Sequence, residues 1–259
     1  MLQMDTSKLP VDGVLLDVDD TMIDTAGAFG DAIGAVRRTY LPHVPAAKEP
    51  EMLAFWRNDI GGHYRAYTRG ELTMDGQRMI RAAELHAHYG GPVVDEASYP
   101  RWMEVFWGTF QNSWRAYADV FPAIAALRAA GLRIGIVTNA TVALQRQKFA
   151  ATGLSEFDDL IIGVDTIGVG KPEPEIFLAG CDLIGTTPER TAYVGDEPDI
   201  DARAAADAGL FGIWLDRPGV QRYGPSAGSA ADATGHRIRR ITSLAQLPEV
   251  LGLPDAIKG

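Results

Sequence analysis

Val11-Asp12-Gly13-Val14-Leu15-Leu16-Asp17-Val18-Asp19-Asp20-Thr21 is the stretch from which the fold of this chain is read. Its first half is a short run rich in branched aliphatics, and its second half is crowded with carboxylates. A strand buried on both faces reads this way when it delivers polar side chains to one edge of a parallel sheet. Such edges are where open α/β sheets hold their ligands. Asp and Thr also cap helices well, but a cap needs one such residue, and here three carboxylates fall within four positions. Neighbouring carboxylates repel unless a cation or a shared proton compensates them, so the cluster points to a metal site or a catalytic pair.

Downstream, over residues 25–117, the pattern becomes helical and rich in aromatics, as expected of an inserted helical domain. Trp102, Phe106, Phe110, Trp114 and Tyr117 recur at steps of three and four along one predicted helix face. They read as the core of the insert rather than as a stacking platform. Further amphipathic helices are predicted over 52–67 and 74–89, the second stopped by Gly90-Gly91-Pro92. His43, His63, His86 and His88 share no metal-ligand spacing. Arg65 and Arg69, one helical turn apart, are candidates to reach an anionic substrate from the insert.

From Val120 onward helices and strands alternate again. The pattern predicts a helix over 122–130, a strand over 132–137 ending in Thr138-Asn139, a helix over 142–152 and a strand over 159–163. A glycine-rich loop closing on Gly170-Lys171-Pro172 follows, then a helix over 174–183 and a strand over 191–194 running into Gly195-Asp196. An Ala-rich helix over 201–208, a strand over 212–215, a mobile Gly, Ser and Ala-rich loop over 219–235 and a short strand and helix over 241–251 complete the chain. This alternation implies a Rossmann-like parallel sheet covered by helices on both faces. All strand C-termini of such a sheet lie on one edge, so Asp17 and Asp19, Thr138 and Asn139, Lys171, and Asp196 can converge. They are the residue types needed to move a phosphoryl group: a carboxylate nucleophile, a second carboxylate as proton donor, hydroxyl and amide donors, a fixed cation and acids for Mg²⁺.

Four ordered signatures make the chain resemble the haloacid dehalogenase superfamily of hydrolases: Asp17-Val18-Asp19-Asp20-Thr21, Val137-Thr138-Asn139, Gly170-Lys171-Pro172-Glu173-Pro174-Glu175-Ile176-Phe177, and Val194-Gly195-Asp196. The helical insert falls where subfamily I carries its helical C1-type cap. The resemblance implies an α/β hydrolase core of 1–24 and 118–259 and a cap domain of 25–117. It implies that Asp17 attacks phosphorus to form an aspartyl-phosphate, while Asp19 protonates the leaving oxygen and later activates water. Thr138, the Asn139 backbone and Lys171 would bind the transferred group. Mg²⁺ would be held by the Asp17 side chain, the Asp19 backbone carbonyl and Asp196, with Asp201 behind these ligands and Asp199 facing solvent. Two positions depart from the pattern: Asp20 stands where glycine is usual and Glu197 where serine is common. Both add negative charge near the metal, and Asp20 has no assigned role.

Asp19 argues for phosphate esters, because dehalogenases of the superfamily resemble this pattern with an aromatic residue at that position. The expectation is therefore a phosphatase acting on a small phosphorylated metabolite, the cap leaving limited room and excluding water. A phosphomutase, a 2-haloacid dehalogenase and a non-catalytic phosphate-binding protein are the alternatives. Specificity is expected from the cap and from residues 23–28. Composition fits an ordinary globular enzyme, with 259 residues, 46% hydrophobic and 22% charged. A net charge of −10 argues against nucleic acid as a partner. The single cysteine, Cys181, forms no internal disulfide, residues 1–10 lack the marks of a signal peptide, and no run reaches membrane-span length. The protein reads as soluble and cytoplasmic; its oligomeric state and physiological substrate do not follow from the sequence.

Overall fold

Strand β1, Gly13–Leu16, is buried along its whole length and sits between two neighbours. The computed structural model describes residues 11–68, 70–220 and 238–253. In it β1 is joined by β2 (Arg133–Val137), β3 (Ile161–Ile162), β4 (Thr191–Gly195), β5 (Phe211–Leu215) and β6 (Ile238–Ile241). All pairings are parallel, in the order β3-β2-β1-β4-β5-β6. The chain moves outward from β1 to β3, then returns to place β4 on the other side of β1. That reversal is the switch point at which open α/β sheets form their ligand crevice. Leu16 is level with Ile136 on one side and Val194 on the other, so Asp17 emerges beside the ends of β2 and β4.

Helix α9 (Pro174–Ile184) packs Ile176, Phe177 and Cys181 on Leu15, Val137 and Tyr193 of the sheet to make the main core. Strand β3 is shorter than the predicted 159–163, and 164–167 form a helical turn (α8) where the sequence reads as loop. The predicted loop over 219–235 lies outside the described residues from 221 onward. No described helix is long and apolar enough to cross a membrane.

The chain divides into two compact units: the described residues through Asp24 with those from Arg115 onward, and Thr25–Trp114. This division falls after Trp114, where the sequence led us to expect it after residue 117. The reason is backbone pairing, since Asp24 N–H donates to the Arg115 carbonyl at 2.9 Å, Ala116 bridges Ile23, and Tyr117 N–H donates to the Met22 carbonyl at 2.9 Å.

The second unit consists of α1 (Thr25–Tyr40), α2 (Glu49–Asn58), α3 (His63–Thr68), α4 (Met74–Tyr89) and α5 (Tyr99–Asn112), with a short 3₁₀ turn before α2. The single helix predicted over 52–67 is broken. Asp59 turns into the left-handed region with φ 45°, Gly62 follows with φ 70°, and the Asp59 carboxylate accepts the Tyr64 N–H at 3.0 Å to start α3. Helix α5 ends at Asn112, so Trp114, itself buried, and Tyr117 lie beyond the helix that carries the rest of the predicted stripe. The rest of that stripe is core: Trp102 and Phe106 stack with centroids 4.8 Å apart, and Trp56 packs on Phe106 at the same distance. Residues 25–28, expected in a specificity loop, are the first turn of α1.

His86 is built into this core. Trp102 Nε1 donates to His86 Nε2 at 2.9 Å, so the ring proton sits on Nδ1, 2.8 Å from the Pro92 carbonyl. Burial pushes the imidazole below its ordinary pKa, with the Pro92 carbonyl pulling the other way. The unfolded chain therefore binds a proton at His86 before the folded chain does. Stability present above about pH 6.5 is lost as pH falls toward the lower folded value. Melting temperatures measured from neutral to mildly acidic pH should fall more steeply for the wild type than for His86→Gln; equal slopes would contradict this assignment.

Candidate active site

Asp17, one step past β1 and 4% exposed, anchors its backbone by donating N–H to the Val194 carbonyl at 2.9 Å. Its carboxylate meets the buried ammonium of Lys171. Lys171 Nζ donates to Asp17 Oδ1 at 2.8 Å, to Asp201 Oδ1 at 2.6 Å and to the Tyr193 hydroxyl at 2.9 Å. All three N–H bonds of the ammonium are thereby spent. The Tyr193 hydroxyl lies 3.1 Å from the Val137 carbonyl, which ties the cluster to β2. Burial pushes the Asp17 carboxyl up to about 7, with Lys171 pulling it back. Burial also works against the Lys171 charge, but Asp17 and Asp201 outweigh it and hold the ammonium protonated well above its usual range.

Lys171 is delivered by a loop clamped through Asn139. The Asn139 side chain accepts the Lys171 N–H at 2.6 Å and donates to the Lys171 carbonyl at 2.9 Å, imitating a strand pairing. Gly170 is needed here, because a Cβ would stand 2.6 Å from Asn139 Oδ1. The second signature thus holds the third through a side chain that the sequence reading used only for its backbone.

The fourth signature leaves β4 through Gly195 and Asp196 into a π-helical turn, Pro198–Arg203, followed by the short helix α10 (Ala204–Asp207), where one Ala-rich helix over 201–208 was expected. π turns recur at functional sites. This one turns Asp201 inward, where its Oδ2 accepts the Glu197 N–H at 2.9 Å, while the Asp199 side chain is 72% exposed. A Cβ on Gly195 would sit 2.3 Å from the Asp201 carboxyl, so both glycines of these signatures have steric causes. Asp17, Asp196 and Asp201 each offer a carboxylate oxygen within 4.8 Å of the others, a hard-oxygen set of the kind Mg²⁺ takes.

Asp19 points elsewhere. The turn after Val18 folds back so that Asp20 N–H donates to the Ile23 carbonyl at 2.8 Å, with Asp20 at φ 59°. A left-handed residue explains why glycine serves at this position and why Asp, tolerant of αL, can replace it. The Asp19 carboxylate pairs through Oδ1 with Lys148 Nζ and through Oδ2 with Gln145 Nε2 at 3.0 Å. Gln145 also donates to Thr138 Oγ1 at 3.0 Å. Gln145 and Lys148, on α7 (Val142–Thr152), are 0% and 2% exposed, and both were missed in the sequence. Their signal was present, since 145, 148, 149 and 152 form one helical stripe that also carries buried Phe149. Tyr193 was missed because a buried strand tyrosine reads as packing. Arg65 is exposed on α3 of the helical unit, and Arg69 lies outside the described residues.

A family model described as haloacid dehalogenase-like hydrolase matches residues 11–209. The chain is 35% identical over 111 residues to the phosphoserine phosphatase of Thermus thermophilus, covering 43% of this chain and 44% of that protein, so the match spans less than half of that relative. It is 29% identical over 253 residues to the plasmid phosphoglycolate phosphatase of Cupriavidus necator, covering 96% of each. Its fold matches a HAD family hydrolase of Deinococcus radiodurans, solved with bound phosphate and sodium, with TM-score 0.70 and 23% identity over 94% of this chain and 96% of that one.

Proposed function

Since the chain belongs to the haloacid dehalogenase-like hydrolase family, we propose that it is a Mg²⁺-dependent phosphatase that hydrolyses a small organic phosphate monoester through an aspartyl-phosphate on Asp17. The observation that carries this reading is the buried Lys171 ammonium shared by Asp17 and Asp201, with Asp196 beside them. The helical unit is read as the cap of the core unit.

An Asp17 oxygen attacks the phosphorus in line as the ester P–O bond breaks, and Asp19 gives its proton to the departing alkoxide. Asp19, now a carboxylate, takes a proton from water, the water oxygen attacks phosphorus, and Asp17 leaves with inorganic phosphate as product. The Asp19 side chain is 16% exposed against 6% for Asp17, which suits a group that exchanges protons with solvent. Thr138 and the Asn139 backbone hold the phosphoryl oxygens, and the Lys171 charge beside Asp17 offsets theirs. The Asp17 and Asp196 carboxylates and the Asp19 carbonyl would hold Mg²⁺, which when bound would supply neutralisation of phosphoryl charge.

Hydrolysis of p-nitrophenyl phosphate and a panel of phosphometabolites, with Mg²⁺ and with chelator, tests the reading. Phosphoglycolate heads the panel, because the relatives matching nearly the whole chain carry that name. Activity that needs Mg²⁺ is expected; a panel without hydrolysis would turn the reading to a phosphate-binding protein. Mg²⁺ should also raise the melting temperature, since it relieves clustered carboxylates only in the folded state. At one hundred times Kd the gain is about 2.7 kcal/mol, which at about 2–4 °C per kcal/mol is roughly 5–10 °C. An unchanged melting curve at millimolar Mg²⁺ would count against a metal site among these residues.

A further inference from the structure

We infer that Gln145 is a positioning residue that forces the Thr138 hydroxyl to act as a donor toward the transferred phosphoryl group and ties it to Asp19. The inference rests on the proposed phosphatase reading and deepens it. Gln145 is fully buried one turn into α7. Its Nε2 lies 3.0 Å from Asp19 Oδ2 and 3.0 Å from Thr138 Oγ1. The amide thus faces both groups with its NH₂ end, giving one N–H to the Asp19 carboxyl and the other to Thr138.

Thr138 Oγ1 then accepts twice, from Gln145 and from the Ala140 N–H at 3.2 Å. A hydroxyl has two lone pairs and one proton. With both lone pairs occupied, the proton must be donated, and among the described residues Thr138 has no acceptor for it. Thr138 sits one residue past β2, beside Asp17 at the end of β1, so a phosphoryl oxygen bound at Asp17 supplies that acceptor. A free hydroxyl would have to rotate into place; this one is fixed before substrate arrives.

Packing gives no reason for the arrangement. Among the described residues Gln145 Oε1 is buried without a hydrogen-bond partner, and Lys148 is buried beside it on the same stripe. Polar groups in such positions oppose folding, and an apolar stripe would serve the core better. What the two residues do supply is one fixed donor for each oxygen of the Asp19 carboxylate, from positions three apart on one helix.

The test uses Gln145→Met and Gln145→Glu, which keep the size of the side chain but cannot donate as the amide does, together with Thr138→Val and the double variant Gln145→Met/Thr138→Val. On p-nitrophenyl phosphate, both Gln145 variants should lower kcat by about 10–100-fold with KM changed by less than about 3-fold. In the Thr138→Val background the same Gln145→Met change should cost much less, since one of its two targets is gone. Additive losses, or a Gln145→Glu rate near wild type, would overturn the inference. Calorimetry with inorganic phosphate separates it from the parent reading and does not depend on turnover. Wild type that binds phosphate but hydrolyses no ester sinks the phosphatase, while the clamp still requires Gln145→Glu to weaken phosphate binding about 10-fold; unweakened binding, or a wild type that binds no phosphate, overturns it.

Discussion

Asp17→Asn should lose turnover by roughly 10⁴-fold or more while remaining folded, as expected when one member of a nucleophile unit is removed. An amide of the same shape fills the 4% exposed site, and its carbonyl can accept from Lys171, which keeps Asp201 as its counter-charge. What the amide lacks is the electron pair that attacks phosphorus. The substitution also removes a carboxylate that burial disfavours, so the cost to the fold is small. Initial rates on the best ester of the panel, with a melting curve for each protein, check both halves. A rate near wild type would place the nucleophile elsewhere.

Lys171→Met should damage stability and activity together. The lysine side chain is 5% exposed and faces carboxylates that are 6% and 1% exposed. Removing the cation leaves Asp17 and Asp201 as neighbouring buried acids with no charge between them. Breaking a buried ion pair on one side costs roughly 3–5 kcal/mol, which at about 2–4 °C per kcal/mol lowers the melting temperature by roughly 6–20 °C in metal-free buffer. Turnover should fall by about 10²–10³-fold through loss of charge stabilisation. Lys171→Arg should not restore it, because three close acceptors grip a compact ammonium and a planar fork does not fit the same points. Unchanged melting of Lys171→Met would contradict the charge cluster described here.

The part of the fold legible in the sequence was the part written in buried parallel strands. Val14 to Leu16, Ile134 to Val137 and Ala192 to Val194 are apolar runs that end in polar residues, and the structure sets all three side by side. Residues joined to the site by side-chain geometry were less visible. Gln145 and Lys148 look like solvent-facing residues of a charged helix until the stripe through Phe149 is drawn. Asp201 rather than Asp199 turns toward Lys171 through a π turn that no periodicity announces, and it was the motif resemblance, not the helical pattern, that singled it out. In the helical unit, apolar spacing runs straight through Asp59, where a left-handed residue ends the helix. Asp20, without a role in the sequence, owes its place to backbone conformation.

Where phosphorus is held between the two half-reactions decides whether Asp17 is the nucleophile. Acid quenching during a single turnover of a labelled ester, followed by peptide mapping, should trap a base-labile acyl-phosphate on Asp17, absent from Asp17→Asn. Release of inorganic phosphate with no trapped phosphoenzyme at any quench time, or a label on another residue, would contradict it.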